Sequence, residues 1–188
     1  MTMPPEHPRD AGPERLTGSL ADILAIIESA KARDGMKGLR RFVEQAIPEA
    51  DPDEVRQAAD VALEVIEAAP VFLVRARQEA GERGSEPHVL QVLERAERYY
   101  LKPIDLIPEM TQGLAGLLDD SYLVIRTLQH LDEGEGAFLD WDLDDPVRFL
   151  RRLMGPVISN RLDLVAAEAA RDGTARLEEL WDRTAYRA

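Results

Sequence analysis

Asp51-Pro52-Asp53-Glu54-Val55-Arg56-Gln57-Ala58-Ala59-Asp60-Val61-Ala62-Leu63-Glu64-Val65-Ile66 is the stretch whose pattern decides the fold. It opens on a capping acid, puts proline at the first helical position and sets Glu54 three residues after Asp51. In that arrangement two side chains satisfy the free N–H groups of a helix start. Val55, Ala59, Ala62, Leu63 and Ile66 then return at helical spacing. At Pro70 two outcomes stay open: a kink in one long helix, or a second helix running to about Gly81.

The same rhythm extends outward in both directions. Upstream, Leu20, Ile23, Leu24 and Ile27 follow i, i+3, i+4, i+7, with Ser19 as expected N-cap and Gly35 as stop. Leu39, Phe42, Val43, Ala46 and Ile47 form a further stripe that Pro48 ends. Downstream, Gly81 to Pro87 reads as a turn, and Val89, Leu90, Leu93, Ala96 and Tyr100 share a helix face. Residues 117–131 read as helix with Leu118, Tyr122, Ile125, Leu128 and Gln129 near its inner face. Pro146 is expected to start a short helix that Gly155-Pro156 breaks, followed by two closing helices separated near Gly173. No alternating β-branched run is long enough for a strand. The expected class is all-α: a compact bundle of about seven to nine helices without significant sheet. Residues 1–15, with Pro4, Pro5, Pro8 and Pro13, are expected as a disordered N-terminal arm, and 16–188 as one helical domain.

Charge and composition narrow the function classes. The 36 acidic and 23 basic side chains give a formal net charge of −13, which repels phosphate backbones and argues against nucleic-acid binding. The absence of cysteine removes disulfides, thiolate zinc sites and cysteine nucleophiles. The longest stretch free of charged side chains is 110–118, far short of the roughly 18 apolar residues of a spanning helix. Negative charge also disfavours anionic lipid surfaces, so membrane association is not expected and a cytoplasmic location is the default.

Tyr99-Tyr100-Leu101-Lys102-Pro103-Ile104-Asp105-Leu106-Ile107-Pro108-Glu109 departs from helical regularity. Two prolines five apart forbid a helix interior; one helix is expected to end near Leu101 and Asp105 to cap the next. With Gly116, Leu118, Asp119 and Asp120 downstream, the segment resembles the core signature of the YkvA-like family, a small helical bacterial domain of unknown function. The match runs over about residues 89–131 and rests on Tyr100, Pro103, Ile104, Asp105, Leu106, Ile107, Pro108 and Glu109, then Gly116, Leu118, Asp119 and Asp120. Lys102 stands where that family commonly has serine, Glu109 replaces its aspartate, and the 110–118 connection lacks its proline. The resemblance implies a helical core at about 86–131 with no established activity; some relatives are associated with membranes.

Asp105, Glu109, Asp119 and Asp120 carry the sharpest chemical alternative. Folded together, four carboxylates suit Mg²⁺, Mn²⁺ or Ca²⁺, which take oxygen ligands. The simpler reading makes Asp105 and Asp119 or Asp120 helix caps, with no cofactor. Asp140 to Asp145 imitates the start of an EF-hand loop but has Asp145 where glycine and Arg151 where glutamate is required. It reads instead as part of a solvated acidic loop, 132–145, paired with Arg148, Arg151 and Arg152. His7, His88 and His130 form no zinc or triad pattern, and no catalytic residue is assigned. Trp141 and Trp181 are either packed residues or interface anchors, packing being the commoner fate. The leading expectation is a non-enzymatic protein-interaction or scaffolding module that binds a protein partner or a second copy of itself. The alternative is a divalent-metal enzyme built on the four carboxylates.

Overall fold

A computed structural model describes residues 13–83, 87–101, 113–132 and 141–171 of the chain. The helices are α1 (Pro13–Asp34), α2 (Met36–Ala46), α3 (Pro52–Glu82), α4 (Pro87–Leu101), α5 (Leu118–Asp132) and α6 (Asp144–Arg171), with a 3₁₀ turn over Leu114–Leu117 leading into α5. No strand occurs among the described residues, as the all-α reading expects. Six α-helices among those residues replace the seven to nine anticipated.

Two helices account for most of that difference. α3 passes through Pro70 without ending. Proline there withdraws the N–H that would bond the Ile66 carbonyl, a cost the packing of both neighbouring turns outweighs. The buried seam Ala59, Ala62, Ile66, Ala69, Leu73, Ala76 and Ala80 keeps one 3,4 rhythm straight across the proline. α6 begins at Asp144 rather than Pro146, and its 28 residues are two helical runs that meet at a kink at Gly155, where the sequence reading expects the break. Gly155 takes φ 76 and ψ 165, a left-handed position that glycine fills without a Cβ clash. Ser159 Oγ donates to the Gly155 carbonyl at 2.8 Å, a side-chain bond across the first turn after the bend.

Helix starts follow local chemistry. Asp51 Oδ1 accepts from the Asp53 and Glu54 amides at 2.8 and 2.9 Å, and Glu54 Oε2 accepts from the Asp51 amide at 2.9 Å, completing the capping box. α1 starts at Pro13, ahead of the expected Ser19 cap and within the stretch expected as a disordered arm. Its inner face is Ile23, Ile27 and Ala30, while Leu24 is left 42% exposed. Residues 1–12 lie outside the described residues, as do the expected closing helix beyond Gly173 and Trp181.

α5 is the centre of the bundle. From Leu117 to Leu128 every residue except Arg126 is buried, whichever way it points. α6, α3 and α4 pack around it. α3 presents mainly alanines, whose small side chains let two helix backbones approach closely. Trp141 stacks obliquely on Phe72, ring centroids 5.2 Å apart, and so takes the packing role. No described helix is long and apolar enough to cross a membrane.

Because α5 is enclosed, truncating it is expected to cost far more than removing a cap. Leu118→Ala should lower stability by about 2–5 kcal/mol, and Asp51→Ala by about 1 kcal/mol, both from urea midpoints. Equal losses would contradict the central placement of α5.

Candidate functional site

Three places in the fold bring polar chemistry or open surface together. The first is the corner expected from sequence. Asp119 and Asp120 occupy the first turn of α5, at 4% and 1% exposure, and Asp119 Oδ1 accepts from the Asp120 amide at 3.1 Å. Both make further polar or electrostatic contacts. Carboxylates at a helix N-terminus meet the positive end of the dipole, which offsets part of the cost of burying them. Beside them, Ser121 Oγ donates to the Leu117 carbonyl at 2.6 Å, so its lone pairs accept from the Tyr100 hydroxyl at 2.8 Å. Burial pushes the Tyr100 phenol well above its ordinary value; the Ser121 hydrogen bond opposes that rise and the two carboxylates add to it. Tyr100 is therefore a locked, protonated donor.

Tyr100, through Ser121, lies beside Asp119 and Asp120, an arrangement the sequence reading did not anticipate. Pro103, Asp105, Pro108 and Glu109 lie outside the described residues. Among those described, no group of three or more His, Asp or Glu side chains is placed to hold a metal ion. Gly113, at φ 80, brings the chain into this corner against the end of α1: a Cβ there would sit 3.1 Å from Asp34 Cβ.

The second place was not visible in the pattern. Tyr122 on α5 donates to Asp163 Oδ1 at 2.5 Å, and Arg126 Nε donates to the same oxygen at 3.1 Å. Arg151 joins from before the α6 bend, donating to Asp163 Oδ2, to the Tyr122 oxygen at 3.3 Å and to Asn160 Oδ1 at 2.8 Å. The expected pairing of Arg151 with the acidic loop is thereby corrected: Arg151 reaches across the Gly155 bend, and among the described residues Arg148 pairs locally, with Asp145. Burial alone would raise Asp163, but hydrogen bonds from Tyr122 and Arg151 and the two guanidinium charges outweigh it and hold the carboxyl below its ordinary range. Burial, then the Asp163 hydrogen bond and charge, push Tyr122 up to about 12. Tyr122, Arg126 and Arg151 all donate to Asp163, and the network clamps the bend.

The third place is a groove of about 670 Å³, open to solvent, where the corner after α2 meets α3 and the start of α6. Ile47, Pro48, Ala58, Val61, Phe149 and Leu153 make it mainly apolar; Glu49, Glu54 and Arg152 line it with them. Val61 is 41% exposed at this groove; Val71, at 44%, is exposed elsewhere on the same helix. Two stretches far apart in sequence, 47–61 and 149–153, build this surface, so no local motif announces it.

The arrangement defines an all-α domain with a central buried helix and an apolar side groove. Neither family models, curated proteins nor solved structures match the chain.

The clamp has a signed pH dependence. The Asp163 carboxyl is depressed below 3.8, so its contribution is complete above about pH 4 and is lost as pH falls through the folded value. Asp163→Asn is expected to destabilise by about 1–3 kcal/mol at pH 7, a difference that shrinks as pH falls below about 4. A pH-independent difference in urea midpoint would contradict it. Tyr122 contributes fully below its ordinary value of 10 and loses that contribution as pH rises toward about 12. Absorbance titration near 295 nm is accordingly expected to show Tyr99, Tyr100 and Tyr122 un-ionised at pH 10 in the folded protein, all three being raised chiefly by burial.

Proposed function

We propose that this chain is a non-enzymatic protein-interaction module whose docking surface is the groove between the α2–α3 corner and the first turns of α6. The groove itself carries the reading: an open, mainly apolar trough of about 670 Å³ that Glu49, Glu54 and Arg152 also line. That is the anatomy of a site for a partner's amphipathic helix, where apolar anchors fill the trough and rim charges set orientation. The chemistry elsewhere supports the same conclusion. Arg151, Arg126, Tyr122 and Asp163 are consumed by one another, and Arg77 is held by Glu94 and Glu97 between α3 and α4. The resemblance to YkvA-like domains brings no activity of its own.

A displayed library of peptides tests the reading directly. Panned on the intact chain, it is expected to yield helix-forming sequences with apolar residues at i, i+3 or i+4, and i+7. Val61→Glu should reduce their affinity at least tenfold with little change in melting temperature, since Val61 is exposed at the groove. Peptides that bind Val61→Glu equally well would place docking elsewhere, and an empty selection would refute the reading.

One observation favours a second reading, a divalent-metal enzyme: two adjacent buried carboxylates, Asp119 and Asp120, at the entry to α5. Asp105 and Glu109 would complete its ligand set, with Mg²⁺, Mn²⁺ or Ca²⁺ supplying Lewis acidity. Calorimetric titration with each ion decides it. Binding tighter than about 1 mM that Asp120→Asn abolishes supports the metal site; its absence for all three ions removes it.

A further inference from the structure

α6 carries a second exposed feature that matches the groove in kind. Val157 and Leu164 are 68% and 71% exposed, the two most exposed large apolar side chains among the described residues. Arg161 lies between them, and Glu168 follows one turn beyond Leu164. At about 100° per residue, Val157, Arg161, Leu164 and Glu168 fall within a strip about 60° wide. The strip therefore reads apolar, basic, apolar, acidic along three turns, on a helix whose opposite face, Leu162, Val165, Ala166 and Ala169, is committed to the core.

The groove presents the complementary set: apolar walls, Glu49 and Glu54 as acids, and Arg152 as base. Among the described residues the ion pairs of α6 use Asp145, Arg148, Arg151 and Asp163, so Arg152, Arg161 and Glu168 keep their charges for an outside partner. Resting on the binding-module reading, we propose that the groove's occupant is the Val157–Leu164 strip of a second copy of this chain. Arg161 faces Glu49 and Glu54, and Glu168 faces Arg152. α6 holds both halves of the contact, the groove wall before the Gly155 bend and the strip after it. Antiparallel pairing of two α6 helices satisfies both grooves at once, which makes the interface isologous and the assembly a closed dimer rather than a filament.

Magnitudes bound the strength of this association. Each copy has a net charge of −13, so the two repel over the Debye length, about 30 Å at 10 mM salt and about 8 Å at 150 mM. Three turns of helix form a small interface beside the roughly 800 Å² per partner of stable complexes. Pairing is thus reversible and is expected at physiological rather than very low ionic strength.

Sedimentation velocity of the full chain at about 150 mM salt, from about 2 to about 200 µM, reads the oligomeric state. The wild type is expected to move from monomer to dimer across that range. Leu164→Asp should remain monomeric with an unchanged melting temperature, because Leu164 is exposed. Glu49→Arg and Arg161→Glu should each weaken the dimer at least tenfold, and the double variant should recover it, a rescue that loss of folding cannot imitate. A wild type monomeric throughout, a dimer that survives Leu164→Asp, a double variant that fails to recover, or growth past the dimer overturns the proposal. So does a Leu164→Asp that melts earlier at constant mass, since the strip is then covered from within the chain. Should the wild type stay monomeric while selected peptides still lose affinity in Val61→Glu, only self-pairing falls; loss of both results removes the binding-module reading as well.

Discussion

Enclosure of α5 is the constraint on which the rest of the structure depends. A helix buried on one face needs one partner, whereas one buried from Leu117 to Leu128 needs neighbours on every side. α6, α3 and α4 supply them, and the demands propagate outward. α3 must be long and lined with alanine to lie close along α5. It must therefore run through Pro70 rather than stop there. α6 must bend at Gly155 to follow the bundle, and the bend needs Arg151, Asn160 and Asp163 to hold it. The polar residues that α5 carries inward have to be satisfied locally, which is why Ser121 bonds both Leu117 and Tyr100.

Polar chemistry in this molecule is accordingly distributed by architecture. Asp119 and Asp120 sit where the α5 dipole is positive, and Tyr100 and Ser121 are fixed beside them. Tyr122 and Arg126, one turn apart on α5, meet Asp163 from α6. Both clusters tie α5 to its neighbours through buried or half-buried hydrogen bonds, Tyr100 to Ser121 and Tyr122 to Asp163. The open apolar surface lies elsewhere, on the groove and on the outer strip of α6, where nothing in the core requires it.

How much of this was legible in the sequence differs by element. The α3 start was written in Asp51, Pro52 and Glu54, because a capping box is local chemistry. The motif singled out Tyr100, Asp119 and Asp120, but the Tyr100–Ser121 hydrogen bond that joins the two helices had no local signature. Pro70 was ambiguous because a helix-breaking residue says nothing of the packing that overrides it. α5 read as one-sided because Asp119, Asp120, Ser121 and Thr127 look like an outer face to any periodicity count, yet all are buried. Asp163 and Arg151 are 12 residues apart across a bend, outside any helical spacing rule. The groove draws on residues 47 to 153 and becomes visible only once the chain has folded.

The proposed function rests on what is left over after the core has been satisfied: an apolar trough and an exposed apolar strip on α6. That inference stands only if α5 is the axis around which everything else is fixed. Native-state amide hydrogen exchange measures this most directly. The amides of 118–128 are expected to exchange only through global unfolding, with a free energy equal to that from urea denaturation. Exchange in that segment as fast as at the ends of α1 or α2 would contradict the account.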